Sequence, residues 1–179
     1  FLLVVGSAFV TTYQPLYLIE NLGFALDDVP QLVSRAMVVQ ATMIILFSVM
    51  SGKLSDVLGR RKIFVLFGSV LYAVGLWLIA LADSYQAFIL GMAITGVGHG
   101  IYFGTDLALV TEVLPDRYRN SGKDLGILNI ANALPQAIAP ALGSLALLVA
   151  ERSYTMHYAI AGCAALLSAL SILPLRRVR

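Results

Sequence analysis

Long apolar runs separated by short polar segments extend from one end of the chain to the other. Six runs, at about residues 1–19, 33–51, 63–82, 86–111, 124–149 and 155–174, approach or exceed the roughly 20 residues that a helix needs to cross a bilayer. They are too long and too many for a signal peptide. The pattern predicts an all-α, polytopic membrane protein in which residues 1–179 form a single bundle of six transmembrane helices.

The composition agrees with this prediction. Hydrophobic residues make up 59% of the chain and charged residues 12%, whereas a soluble domain is about 25% charged. We therefore expect the lipid bilayer, rather than water or a nucleic acid, to surround most of the protein.

The basic residues are distributed unevenly between the polar segments. Ten of the twelve Lys and Arg residues fall in segments 52–62, 117–123 and 176–179, on one side of the predicted bundle, whereas Arg35 and Arg152 fall on the other. Short loops rich in Lys and Arg face the cytoplasm. The carboxyl terminus is thus predicted to be cytoplasmic, in a multi-pass protein of the cell membrane.

The chain starts at Phe1, already inside an apolar run, which suggests a piece of a longer protein. Six helices arranged as a 3+3 inverted repeat are what one half of a larger transporter contains. This arrangement is an expectation from the helix count, because the sequence shows no strong internal repeat.

The densest cluster of charge lies in GKLSDVLGRRK, residues 52–62. Its glycines permit a tight helix exit and re-entry, its acid can cap a neighbouring helix N-terminus, and Arg60 can pair with an acid on an adjacent helix end. The spacing resembles the signature loop of the major facilitator superfamily, which occurs once in each six-helix half. The residues that match this loop are Gly52, Asp56, Gly59, Arg60, Arg61 and Lys62.

A second segment, TEVLPDRYRNSG, ends the fourth predicted helix. It is similar to the E-x-x-P-x-x-x-R motif of sugar-porter-like members of that family. The resemblance implies that Glu112 and Arg119 join the basic residues of segment 52–62 in a cytoplasmic gate, a charge network that opens and closes during alternating access. The alternative interpretation is positive-inside anchoring next to a helix that ends at a proline.

Two features favour the carboxyl-terminal half of a 12-helix member, its helices seven to twelve. The fourth helix of the amino-terminal half usually carries R-x-x-x-G, whereas Met92 stands four residues before Gly96 here. The stretch GKDLGILNIANALPQAIAPALG also resembles the penultimate helix of actinobacterial-type members related to sugar:cation symporters. The resemblance therefore implies a further partner, the amino-terminal six-helix half of the same protein.

Polar side chains at membrane depth are costly and usually face a cavity or the bundle interior. On the fourth helix His99 and Asp106 are seven residues apart with Tyr102 between them, so the three share a face. They are candidates for proton-responsive or substrate-binding groups. The alternatives are a histidine bonded to a backbone carbonyl and an aspartate that belongs to the cytoplasmic charge network.

The first helix carries Tyr13, Gln14 and Tyr17 around Pro15, which would kink the helix. Aromatic rings and an amide on one face suit a polyhydroxylated ligand. Tyrosines near a helix end also form belts at the membrane interface, which is the alternative for Tyr17.

The fifth helix places Asn129, Asn132 and Gln136 at spacings that give one polar stripe on an otherwise apolar helix. The stripe either lines the transport path or forms hydrogen bonds between helices.

These features predict a secondary transporter that moves a small polar solute by alternating access. A sugar or glycoside coupled to a cation, either a proton or sodium, is the first hypothesis, and proton-driven efflux of an amphipathic compound is the alternative. The sequence shows no nucleotide-binding loop and no metal-ligand spacing, so we expect no resident cofactor, no metal and no enzyme activity. Hypotheses from other classes are a non-transporting scaffold or sensor and an intramembrane enzyme that uses His99 and Asp106.

Overall fold

The structure, a computed structural model, describes residues 2–113, 121–149 and 153–171, and the regular secondary structure of these residues is entirely helical. Six helices follow one another along the chain: α1 Leu2–Glu20, α2 Val29–Leu58, α3 Arg61–Ala80, α4 Tyr85–Val113, α5 Ser121–Val149 and α6 Tyr154–Ser171. The prediction of an all-α protein with six long helices is confirmed.

Helix α2 extends beyond its predicted bounds at both ends. It begins at Val29, and Pro30 fits its first turn because a backbone N–H is not needed there. At the other end Gly59 adopts a left-handed conformation with φ of 61°, and its N–H donates to a carbonyl of the last turn at 2.9 Å. The predicted helix exit at Gly52 is wrong: charged residues on exposed turns are compatible with a helix, and α2 continues until the left-handed glycine.

Helix α4 lies against both α2 and α3, and its glycines bring the backbones together. A methyl group added to Gly98 would collide with the backbone of Tyr72 in α3, and one added to Gly100 would lie 2.7 Å from the Ile44 carbonyl oxygen in α2. Small residues at membrane helix interfaces permit this close approach. We refer to these three helices as the α2–α3–α4 unit.

The other three helices pack around this unit in a different way. Helix α6 packs along α3, and α1 packs against both α6 and α5. The buried face of α1 includes large side chains such as Leu3 and Leu18. Helix α5 turns small residues towards its neighbours at four-residue spacing, namely Pro135, Ala139 and Gly143.

Within the described part of the chain, three helical segments are long and apolar enough to cross a membrane by length and composition, and they are Val29–Leu58, Arg61–Ala80 and Tyr85–Thr105. Helix α2 also exposes large apolar side chains, including Val38 and Ile45, as a helix in contact with lipid does. Membrane crossing by α1, α5 and α6, the 3+3 inverted repeat and the cytoplasmic orientation stay predictions.

Candidate functional site

A polar cavity of about 290 Å³ lies between α1 and α5. Ser7, Thr11 and Thr12 line it from α1 together with Ala8, and Gln136 lines it from α5. The Ser7 and Thr11 hydroxyls donate to carbonyls of their own helix at 2.9 and 3.0 Å, which leaves their oxygen lone pairs free to accept hydrogen bonds. We call this cavity, whose described walls carry no charge, the α1–α5 groove.

The α1–α5 groove was only partly foreseen. Gln136 belongs to the polar stripe predicted on the fifth helix, and its position in the groove agrees with that hypothesis. The hydroxyls on α1 were missed, although Ser7 and Thr11 are four residues apart and therefore on one helical face. Asn129, from the same predicted stripe, is exposed and is not among the groups that line the groove.

Tyr13 connects α1 to α5 and α6. Its hydroxyl donates to the Pro140 carbonyl oxygen at 2.8 Å, and its ring lies directly over Gly143, where an added methyl group would overlap the ring. The Tyr13 ring also meets the His157 ring edge to face, with ring centroids 4.6 Å apart. The Tyr13 side chain is only 6% exposed, so it joins helices and is not open to a ligand in this arrangement.

Gln14 and Tyr17 are fully buried in the bundle. The Tyr17 hydroxyl donates to the Ile79 carbonyl oxygen at 2.6 Å, near the end of α3, so Tyr17 belongs to the packed interior and not to an interfacial belt. Gln14, Tyr72 and Tyr158 are fully buried, and their side-chain polar atoms make no hydrogen bond to any described residue.

His99 lies between two helices of the α2–α3–α4 unit. Its ring contacts Tyr72 of α3 edge to face at 5.7 Å and Phe103 of α4 at 6.1 Å. Tyr102 is half-buried on the following turn. The structure therefore surrounds His99 with aromatic rings, and it does not place His99 or Tyr102 on the α1–α5 groove.

His157, on the first turn of α6, was not among the predicted site residues. It is fully buried and contacts the rings of Tyr13 and Tyr158, with centroids 4.6 and 6.0 Å apart. The signal was present in the sequence, because a histidine within an apolar run is itself a candidate for function.

The charged motif joins the end of α2 to the start of α3. Arg61 Nη2 lies 2.8 Å from Asp56 Oδ1, and the pair spans the left-handed Gly59. Arg60 occupies the N-cap position of α3 and its side chain is exposed, and its pairing with an acid on an adjacent helix end stays a prediction. Lys62 follows in the first turn of α3.

Several predicted site residues have side chains outside the described part of the structure. They are Asp106, Glu112, Arg119 and Asn132. The wider gate network that includes Glu112 and Arg119 therefore stays a prediction.

The matching family model and the similar known proteins indicate the same protein family. The sequence model of the Major Facilitator Superfamily matches residues 1–179. The chain is 30% identical over 129 residues to Multidrug resistance protein MdtL of Klebsiella pneumoniae, covering 72% of this chain and 32% of that protein. It is 29% identical over 161 residues to Multidrug resistance protein MdtL of Shewanella oneidensis, covering 84% of this chain and 40% of that protein.

A further relative, the uncharacterized MFS-type transporter YfiU of Bacillus subtilis, is 34% identical over 93 residues, which cover 52% of this chain and 17% of that protein. In each of these comparisons the chain spans less than half the length of the relative. The family match extends from the first residue to the last, and its residues 52–62 follow the spacing of the family's signature loop. The chain belongs to the major facilitator superfamily.

Proposed function

We propose that the full-length protein is a secondary transporter that exports amphipathic compounds by alternating access, and that this chain supplies its carboxyl-terminal six-helix half. The observation that carries the proposal is the α1–α5 groove, which presents hydroxyl groups and an amide beside Ala8. Ligand sites for small molecules use a few polar groups of this kind to fix the orientation of the ligand.

The names of the relatives support export over sugar uptake. Two of the relatives are called multidrug resistance proteins, and a neutral groove that offers a few hydrogen bonds suits varied amphipathic compounds. The relatives do not support the expected sugar or glycoside symport. The aromatic and amide groups suggested for a polyhydroxylated ligand, Tyr13, Gln14 and Tyr17, are buried between helices.

The charged motif supports a gate at the predicted cytoplasmic face. Asp56 and Arg61 connect two helix ends by an ion pair whose partners are partly exposed, at 61% and 25%. Exposed ion pairs contribute about 0–1 kcal/mol, so such a pair can separate and re-form during a transport cycle without a large barrier. This role extends to Glu112 and Arg119 only as an expectation from the motif.

The other function classes receive less support. The major facilitator superfamily consists of transporters and not enzymes, so membership does not favour an intramembrane enzyme. A protein that acts as a scaffold or sensor would move no solute, so a transport measurement distinguishes it from an exporter.

The test is efflux of a fluorescent, lipophilic dye from proteoliposomes that contain the full-length protein, with and without a pH gradient. We expect wild type to move the dye, and Gln136→Ala to raise its KM by about two- to tenfold, because a lost hydrogen bond is worth about 0.5–1.5 kcal/mol. Ser144→Ala is the matched control, since this exposed α5 hydroxyl donates within its own helix and does not line the groove.

Two outcomes contradict the proposal. If wild type does not move the dye but takes up a labelled glycoside, sugar transport replaces export as the better-supported function. An unchanged KM in Gln136→Ala would remove the α1–α5 groove as the binding site.

A further inference from the structure

A second polar layer, distinct from the α1–α5 groove, lies where α1, α3 and α6 meet. His157 is fully buried there, beside Tyr13 of α1 and Tyr158 of its own helix. The Tyr158 ring meets the Tyr17 ring of α1 edge to face, with centroids 5.2 Å apart, and Tyr72 of α3 is also fully buried. A buried imidazole is the one side chain in this layer whose ordinary titration falls near neutral pH.

The described side chains whose rings contact His157 are the tyrosines Tyr13 and Tyr158. Among the described residues, the titratable groups on the helices packed around His157 are Tyr13, Tyr17 and Glu20 on α1, Tyr72, Arg61 and Lys62 on α3, and Tyr154, Tyr158 and the exposed Cys163 on α6. Glu20 is exposed and accepts a hydrogen bond from the Tyr154 hydroxyl at 3.4 Å. The described side chains of α5 include no titratable group.

Several polar groups in the same bundle interior have side-chain atoms that make no hydrogen bond to any described residue. The Gln14 amide and the Tyr72 and Tyr158 hydroxyls are fully buried without a protein partner. Gln14 lies on the same turn of α1 as Tyr13 and Tyr17, which contact α6. Such groups favour the entry of water, and water can deliver a proton to a buried imidazole.

One side chain connects this layer to the α1–α5 groove. Tyr13 covers His157 with its ring, while its hydroxyl holds the Pro140 carbonyl and its ring rests on Gly143. Gln136, which lines the groove, is four residues before Pro140 on α5. The contact that seats α5 on α1 is therefore also a contact that buries His157.

We propose, on the basis of the export function above, that His157 binds the proton exchanged for substrate and that Tyr13 links this proton to the α1–α5 groove. When α5 is seated on α1, the groove is formed and His157 is enclosed. A charged imidazolium in such a buried position is unfavourable, so His157 gives its proton to water. When Tyr13 moves away and water enters, the neutral imidazole takes up a proton from outside.

The consequence is competition between proton and substrate without direct contact between them. Substrate stabilises the seated arrangement, and the proton stabilises the open one. Because linkage is reciprocal, substrate binding must release a proton and proton binding must weaken substrate binding. This relation is what one-for-one exchange requires.

Proton release is the first measurement. Purified full-length protein in weakly buffered detergent receives the fluorescent dye, and pH is followed by an indicator. We expect wild type to release about one proton per bound dye molecule, and His157→Gln to release none while still binding dye. Met156→Leu is the matched control, because Met156 is the neighbouring residue and its side chain is exposed. Full release by His157→Gln, or loss of release in His99→Gln instead, overturns the assignment.

A transport measurement distinguishes loss of proton coupling from loss of dye binding. A gradient of one pH unit stores about 1.4 kcal/mol and can support about tenfold accumulation by one-for-one exchange. We expect His157→Gln to keep dye–dye exchange and to lose accumulation driven by the pH gradient. Accumulation within twofold of wild type in this variant contradicts a proton site at His157.

Tyr13→Phe tests the link to α5 as opposed to the proton site itself. It keeps the ring over Gly143 and His157 but removes the hydroxyl that donates to Pro140. We expect the pH range over which protons weaken dye binding to shift, while dye binding still releases a proton. An unchanged pH profile contradicts the role of Tyr13 as a positioning residue.

A measurement on wild type covers the case in which His157→Gln does not fold. In full-length protein with ¹⁵N-labelled histidine, NMR between about pH 5 and about pH 9 reports the protonation of each imidazole. We expect His157 to titrate without dye and to lose its proton when dye is added. If wild type binds no dye, the export function fails. If His157 stays neutral throughout the range without dye, the proton site fails independently.

Discussion

The two contacts that α4 and α1 make with their neighbours differ in kind. In the α2–α3–α4 unit, glycines place backbone against backbone, as where Gly98 meets Tyr72. Between α1 and α5, the contact at Gly143 is with an aromatic ring, and the groove lies beside it. A backbone contact is lost only if whole helices separate, whereas a side chain can rotate to another rotamer. Movement should therefore cost least at α5.

This difference fits a transporter in which one part stays rigid while another rearranges. Packed interfaces change between discrete arrangements and do not deform continuously. The α2–α3–α4 unit can serve as the rigid part, because its helices are joined at several points, including the 3.1 Å hydrogen bond from Gln40 to Thr95. The α1–α5 contact includes the Tyr13 ring over Gly143 and the hydrogen bond from its hydroxyl to Pro140, and we expect rotation of this side chain to loosen α5.

The largest effect is expected when the α2–α3–α4 unit is forced apart. In Gly98→Val the new side chain collides with backbone atoms of Tyr72 and with the Gly68 carbonyl, which would lie 2.7 Å from the Cβ. We expect destabilisation of about 3 kcal/mol or more, seen as loss of folded protein by size-exclusion chromatography and thermal unfolding in detergent. Gly126→Val is the control, because nothing lies within 4 Å of a Cβ at Gly126.

A Gly98→Val protein as stable as the control would show that α3 and α4 are not held by backbone contact. The comparison between the two regions would then lose its basis.

An intermediate effect is expected at the α1–α5 contact. In Gly143→Ala the new methyl group displaces the Tyr13 ring, a side chain that can rotate, so we expect a stability loss of only about 1 kcal/mol. Because the same ring holds α5 and covers His157, transport should fall more than stability does. Thermal unfolding and dye efflux measured on the same preparation give both values.

The two measurements together show whether the α1–α5 contact is less rigid than the backbone contacts of α4. Equal, large losses of stability in Gly143→Ala and Gly98→Val would mean that both contacts are rigid. Normal transport in Gly143→Ala would mean that the position of Tyr13 is unimportant for the cycle.

The smallest effect on stability is expected at the charged motif. Asp56→Asn removes an exposed ion pair with Arg61 and should change the free energy of unfolding by about 0.2–1 kcal/mol. Dye efflux should nevertheless decrease if the pair forms part of the gate. The exchanged pair Asp56→Arg with Arg61→Asp should recover part of the efflux, and wild-type efflux by Asp56→Asn alone would remove the pair from the gate.

Much of this organisation could be read from the residues in order. Hydrophobic runs predicted six helices in nearly the right places, because burial in lipid demands apolar length. The end of α2 was misplaced, since the charges of Lys53 and Asp56 suggested a loop where the helix in fact continues to Gly59. Gln136, predicted from its place on a polar helix face, lines the α1–α5 groove, whereas the hydroxyl groups on α1 that line it were not predicted.

The candidate site was less predictable because helical faces do not reveal their neighbours. Tyr13, Gln14 and Tyr17 are polar residues on one helix, and the sequence suggested that they face a ligand. Their burial follows from the approach of α3, α5 and α6, which are distant along the chain. The pairing of Asp56 with Arg61 was not predicted, and it forms across the turn at the left-handed Gly59.

The sequence by itself determined the helical class, the family and the location of its charged motif, because these depend on apolar length and on short-range spacing. Only the tertiary structure decided that α4 packs by backbone and α5 by one tyrosine ring, and that His157 lies under that ring. Such contacts join residues on different helices, from tens to more than a hundred positions apart, and the periodicity of a single helix carries no information about which helix lies across from it.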